Sequence, residues 1–354
     1  MRNRLISPFH ARVTRRLFSA TVFSAFLATP LLSTAQDNTS IKFVLDWKLQ
    51  GVHAWYYLAQ DKGYFAQEKI DITFDQGDGS ATAVTKVMAG SYQASFGDIN
   101  AIIQNAAAKP GQAPVMVYQI YNRTPFALIT KADSPIKTLK DLEGKNLGSP
   151  AGGAAMRMFG TLASQNGVDT SKVTWTNMAG NLQEQMLLRG QVDASAVFSV
   201  TSYMNLVAQN LDPDKDIRWF HYADHGIELY SNGVMVTPQL IKDKPQVVTG
   251  LVRAIHKGLR DAIADPDAAI EALAKREPLI NKDIEKRRLL YALKSVVFTP
   301  EVAKAGVGDV NDERLKRSVA QLAAVFELPR QPAPSEIFDR RFLPPLAERQ
   351  LSLK

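Results

Sequence analysis

A carboxylate, an indole and an imidazole stand within eight positions at Asp46, Trp47 and His53, in the stretch DWKLQGVHAWYYLAQDKGYF. Together these types can recognise a flat polar molecule. The indole stacks on a ring while the carboxylate and the imidazole bond its edge. The same residues also suit a plainer arrangement, in which Trp47 covers a helix end and His53 caps the next helix. A second stretch, Ser149-Pro-Ala-Gly-Gly-Ala-Ala155, consists of small residues between a short strand and a helix. Free N–H groups at a helix start would face an anion there, and close helix-on-sheet packing would also explain it. Ser149, Gly152, Gly153 and Ala154 are its candidate contacts. In Gly97-Asp98-Ile99-Asn100, Asp98 reads as a helix N-cap, and Asn100 is placed to enter a cleft. Tyr56, on the aromatic helix after His53, is a further candidate. So are Phe198, just after a buried strand, and Tyr230 with Asn232, just before one.

Covalent chemistry finds little to work with. There is no G-x-S-x-G and no H-E-x-x-H. His221 and His225 lie four apart, without an evident third ligand, and the chain has no Cys. The expectation is therefore a non-enzyme with no catalytic residue, no metal and no cofactor.

The elements that must position these residues alternate. Strand-like runs fall at Lys42–Leu45, Ile70–Phe74, Ala94–Phe96, Val115–Tyr121, Phe126–Thr130, Asn146–Gly148, Val173–Thr176, Ala194–Val197 and Gly233–Val236. Helical runs lie between them, at 54–60, 80–89, 99–108, 154–165, 182–189 and 203–209. Beyond Pro238 the chain turns almost wholly helical, and Pro245, Pro266 and Pro300 sit where helices start. Such alternation predicts a mostly parallel α/β sheet. Asp46 and Trp47 then fall at a strand's carboxyl end, where open α/β sheets bind ligands. An echo, Gly90-Ser-Tyr-Gln-Ala-Ser95 against Gly190-Gln-Val-Asp-Ala-Ser195, predicts one unit used twice: a helix, a glycine cap and a short buried strand.

The ends bound the rest. Residues 1–35 read as a cleavable export signal. Five arginines precede an apolar run, and Ser33-Thr34-Ala35 gives a cleavage site after Ala35. Thr14-Arg15-Arg16-Leu17-Phe18 resembles the twin-arginine motif, and an ordinary secretory signal is the alternative. The formal charge of +7 includes those five arginines, which leaves +2 for the mature chain. Charge thus gives no argument for nucleic acid or an anionic membrane. Without Cys there is no lipid anchor at the cleavage site and no disulfide. The mature chain is expected to be periplasmic, monomeric and unanchored. Its length calls for two lobes.

Four stretches carry a resemblance to a known family: D-W…H-A…Y-x-A-Q-x-K-G-Y-F-x-x-E at 46–68, A-G-S-Y-Q-A-S-F-G-D at 89–98, D-L-E-G-K-N-L-G-S-P-A-G at 141–152, and L-L-R-G-Q-V-D-A at 187–194. Over nearly all of residues 41–345 the chain resembles substrate-binding proteins of bacterial ABC importers. The branch is the one that groups sulfonate, nitrate and taurine binders with thiamine-pyrimidine-precursor (NMT1/THI5-like) proteins. The first stretch is most similar to the pyrimidine subgroup, D-W-x-P-N-x-x-H, though Leu49 and Gln50 stand where that pattern has Pro and Asn.

The resemblance implies a type II periplasmic-binding-protein fold, two α/β lobes with a ligand cleft between them. Lobe one would take 36–130 and, with the return strand and C-terminal helices, 229–354; lobe two would take 131–228. It also implies a small-molecule ligand and an inner-membrane permease with its ATPase as partners. A pyrimidine precursor or similar planar heterocycle is the leading ligand, and a sulfonate- or aromatic-acid-type anion is the alternative. A periplasmic sensor subunit could share the fold. Eukaryotic relatives are pyrimidine synthases, which look cytosolic and carry a cysteine-rich motif that this chain lacks.

Overall fold

The computed structural model describes residues 38–353, and the export signal expected over 1–35 lies outside them. Ten strands follow in chain order: β1 (Thr39–Val44), β2 (Ile70–Asp75), β3 (Ala94–Asp98), β4 (Val115–Gln119), β5 (Phe126–Lys131), β6 (Asn146–Ser149), β7 (Thr174–Asn177), β8 (Ala194–Phe198), β9 (Ile217–His221) and β10 (Asn232–Val236). They form two five-stranded sheets, in the orders β2-β1-β3-β10-β4 and β7-β6-β8-β5-β9.

The two orders are the same pattern. In each sheet the second strand of that order pairs in parallel with the first and the third. In each, one strand runs antiparallel between the third strand and an edge strand. Those antiparallel strands, β10 and β5, are the ones the lobes exchange. The chain leaves β4 of the first sheet to form β5 of the second, and returns from β9 to form β10. The sequence echo has its cause here. Gly90 and Gly190 both take left-handed backbone, at φ 77° and 70°. Each ends a helix and turns the chain into the third strand of its own sheet.

Burial follows from the apolar runs. Both faces of each sheet are covered by helices, so central strands such as β3 and the antiparallel β10 are buried along their whole length. The first core joins Phe43, Tyr56 and Phe96 to the long C-terminal helix Pro245–Ala264. Prolines 238, 245, 266 and 300 open helices, as their fixed φ favours.

Two elements differ from expectation. β9 has no counterpart among the strand-like runs, because IRWFH at a sheet edge is half polar. The helical run 154–165 divides into Ala154–Arg157 and Phe159–Gln165. The turn tightens at Met158, whose carbonyl accepts N–H bonds from both Thr161 (3.1 Å) and Leu162 (3.3 Å).

Candidate functional site

The carboxyl ends of β1 and β6 face each other across the cleft, and a small cavity lies between them. From the first lobe come Asp46, Trp47 and Ser80. From the second come Ser149, Pro150, Gly153, Ala154 and Ala155 on one loop, and Gln183, Ala196, Val197, Phe198 and Thr201 beside it.

Asp46 is only 5% exposed and is held at both oxygens. Oδ1 lies 2.7 Å from Nε2 of His53, and Oδ2 accepts from Asn232 Nδ2 at 2.8 Å. The Nδ1 of His53 accepts the Gln50 N–H at 3.2 Å. That bond leaves Nδ1 without a proton, so the neutral ring carries its proton on Nε2 and donates it to Asp46. The imidazole orients the carboxylate without cancelling its charge. Backbone completes the mount, with Gly79 N–H on the Asp46 carbonyl (2.9 Å) and Gly77 N–H on that of Trp47 (3.1 Å).

Trp47 spans the cleft. Its indole lies so close to Gly180 of the second lobe that a Cβ there would fall 2.0 Å from the ring. A second space, which Trp47 and Gly180 also line, is bounded by Lys48, Asp78, Thr82, Gly152, Met178 and Asn181, among others. Gly152 is a second point of close approach, since a Cβ would meet Thr82 Oγ1 at 2.2 Å.

The structure therefore brings Asp46, Trp47, Ser149, Gly153, Ala154 and Phe198 to one cavity. His53 and Asn232 stand behind Asp46, fully buried, and Gly152 lines the adjoining space. Three expected contacts lie elsewhere. Tyr56 is a core residue packed on Phe43, Phe74 and Phe96, and burial raises its hydroxyl well above the usual range. Asn100 folds back, donating to Asp98 Oδ1 (2.8 Å) and to the Tyr230 carbonyl (2.7 Å). Tyr230 turns toward the C-terminal helices Pro300–Ala305 and Asp312–Val325. Its hydroxyl binds Glu301 and the Asn311 N–H, and the Arg314 guanidinium lies 3.9 Å above its ring. Asp98 is the N-cap expected of it, and desolvation lifts its carboxyl to about 7 against the bonds from Asn100.

Pro150 and Ala155 belong to the expected loop, whereas Ser80, Gln183, Ala196, Val197 and Thr201 were not foreseen. Ser80, opening a helix directly after Gly77-Asp78-Gly79, had a readable signal. Gln183 and Thr201 had none. Among the described residues no group of His, Asp and Glu is placed to hold a metal ion. No described helix is long and apolar enough to cross a membrane.

Two α/β lobes that exchange one strand each around a shared cleft are the periplasmic-binding-protein fold. The chain belongs to the NMT1/THI5-like family, whose model matches residues 50–269. It is 27% identical over 221 residues to the riboflavin-binding protein RibY of Chloroflexus aurantiacus, covering 61% of this chain and 60% of RibY. It is 23% identical over 292 residues to the formylaminopyrimidine-binding protein of Halalkalibacterium halodurans, covering 79% of this chain and 86% of that one. It is also 22% identical to a 4-amino-5-hydroxymethyl-2-methylpyrimidine phosphate synthase of Legionella pneumophila, covering 71% and 78%. Among solved structures, the alkanesulfonate-binding protein SsuA of Xanthomonas axonopodis superposes with a TM-score of 0.66 at 16% identity, over 86% of this chain and all of that one. The Escherichia coli sulfonate-binding SsuA gives 0.64 at 15%, over 89% and 96%. At such identities they speak for the fold alone.

Proposed function

We propose that this chain is the periplasmic solute-binding component of an ABC importer, closing on a small planar nitrogen heterocycle whose N–H groups meet Asp46. The observation that carries the ligand class is the charge of the wall: Asp46 is the one ionisable side chain among the lining residues. A carboxylate with His53 and Asn232 already on its flanks presents its remaining lone pairs to an N–H edge, a strong charge-assisted geometry. A sulfonate or carboxylate ligand would meet that charge with no cation on the wall. At an effective dielectric near 20, two like charges 4 Å apart cost about 4 kcal/mol.

The donors that would favour an anion are partly spent as well. Gly153 N–H goes to the Pro150 carbonyl (2.9 Å), Ala151 N–H to Asn177 (3.0 Å) and Ser149 Oγ to the Ala196 carbonyl (3.1 Å). The ligands for which two relatives are named fit this reading, since riboflavin and formylaminopyrimidine both contain a pyrimidine-type ring.

The relatives named as phosphate synthases raise a second reading, an enzyme on the same scaffold. The wall speaks for binding. The lining residues include no Lys, His or Tyr, and His53 behind them has both ring nitrogens engaged. Calorimetry with 4-amino-5-hydroxymethyl-2-methylpyrimidine, formylaminopyrimidine, riboflavin and an alkanesulfonate tests the proposal. Binding of a heterocycle with no heat from the sulfonate is expected. Sulfonate binding without heterocycle binding would overturn it, and turnover of a bound heterocycle would favour the enzyme.

A further inference from the structure

Outside the cavity, one buried ion pair joins the two lobes. Glu285 and Arg288 lie on the helix Lys282–Ala292, in the C-terminal helical layer of the first lobe, and Arg288 is 3% exposed. All five guanidinium N–H groups have acceptors. Nε and one Nη2 hydrogen go to the two oxygens of Glu285, at 2.9 and 3.1 Å. The other Nη2 hydrogen goes to Asn205 Oδ1 at 3.1 Å. Nη1 gives one hydrogen to the Val200 carbonyl (3.2 Å) and one to that of Thr201 (2.5 Å). Val200, Thr201 and Asn205 belong to the second-lobe helix Ser199–Ala208.

The pair also reaches the ligand loop. Glu285 Oε2 accepts the Gly51 N–H at 2.5 Å. The loop is pressed so closely on this helix that a Cβ on Gly51 would fall 2.0 Å from the Glu285 carbonyl oxygen. The adjacent Gln50 orients His53 through its N–H, and its side chain accepts from Thr201 of the cavity wall at 3.0 Å. At the other end, Asn205 donates to Glu184 (3.3 Å), the neighbour of the lining residue Gln183. Tyr291 of the first-lobe helix stacks on Tyr203 of the second, with centroids 4.8 Å apart. The network thus reaches the cavity-lining Thr201, ends beside the lining Gln183 and crosses between the lobes.

We infer that Arg288, oriented by Glu285, is a positioning residue. It locks the Asp46–His53 loop to the second lobe in the closed form, and so tunes ligand affinity without touching ligand. A lysine, with three donors on a point charge, cannot serve five acceptors fixed in a plane. The inference rests on the ligand reading above for its affinity arm only. Removing one charge alone would leave the other buried and unpaired. The test is therefore the double variant Glu285→Gln/Arg288→Met beside Arg288→Lys. It is read by the binding kinetics of 4-amino-5-hydroxymethyl-2-methylpyrimidine and by the distance between spin labels on the exposed Gln67 and Ser171.

The double variant is expected to bind about tenfold more weakly, through faster dissociation, and to shift the ligand-free label distances toward the open form. Its melting temperature should stay within a few degrees of wild type, and Arg288→Lys should fall between the two. Wild-type affinity and label distances in a folded double variant would overturn the inference. If wild type itself ignores the pyrimidine, the ligand reading fails, and the ligand-free label distances alone decide the latch: an unchanged distribution overturns it.

Discussion

The two lobes share one strand order and meet at one cavity, yet their walls are built differently. The first lobe presents functional side chains on a fixed mount: Asp46 held by His53 and Asn232, and Trp47 held by its backbone. The second presents mainly small residues, with Pro150, Gly153, Ala154, Ala155 and Ala196 making half of its lining. A duplicated scaffold has thus divided its labour. On the function proposed above, the first wall supplies chemical selectivity, and the second supplies the close fit that closure needs. Ligand contacts on both walls favour the closed form by their differential affinity for it.

That division can be broken from either side. The largest loss is expected from the selective wall. Asp46→Asn removes the charge, and its amide nitrogen must also face one of the two donors that now meet the carboxylate. Heterocycle binding should weaken on the order of 100-fold, about 3 kcal/mol, by calorimetry. A loss under threefold would mean that Asp46 is structural. Next comes the fitting wall. Gly180→Ala sets a methyl carbon where the Trp47 ring lies. Overpacking of that kind costs about 2 kcal/mol, so affinity should fall roughly 30-fold, with the ligand-free melting temperature little changed. Equal binding would show that the lobes need not approach this closely. A smaller loss, about tenfold, is expected for Trp47→Ala, from the stacking contribution of one indole. Ligand should also change the tryptophan fluorescence of wild type and much less that of the variant.

Legibility in the sequence followed the same division. Asp46 and Trp47 were readable because they sit together at a strand end, and that end is where such sheets bind ligands. The 149–155 loop was readable from its run of small residues. Asn100 and Tyr230 also stand at strand ends, and there the signal misled. Position gives the end of the sheet but not the rotamer, and both side chains turn into bracing contacts. Thr201, Gln183 and Arg288 could not be found. Their roles come from the apposition of lobes, and the partners of Arg288 across the interface lie 83 to 88 positions away in the chain. β9 was hidden for a related reason. An edge strand carries polar residues, and its pairing partner β5 lies nearly ninety positions earlier.

The smallest predicted effect concerns the first lobe's wall from behind. Asp98 caps the helix Ile99–Ala108 with Oδ1, while its Oδ2 is buried without a partner. Desolvation lifts its carboxyl from the ordinary 3.8 to about 7. The sign of the linkage follows. Below pH about 4 the group is protonated in both folded and unfolded chains. Between about 4 and 7 the unfolded chain releases its proton while the folded one keeps it, so stability falls across that window. Above about 7 both are ionised and the cost is constant. Asp98→Asn keeps an oxygen for the cap and cannot ionise. Its amide is itself a buried polar group, so only part of the cost is recovered. Relative to wild type the variant should gain stability as pH rises from about 4 to about 7 and hold that gain above it. Heterocycle affinity should be unchanged. Thermal melts at about pH 4 and about pH 8 check it, and a stability difference independent of pH would refute the role given to the buried charge.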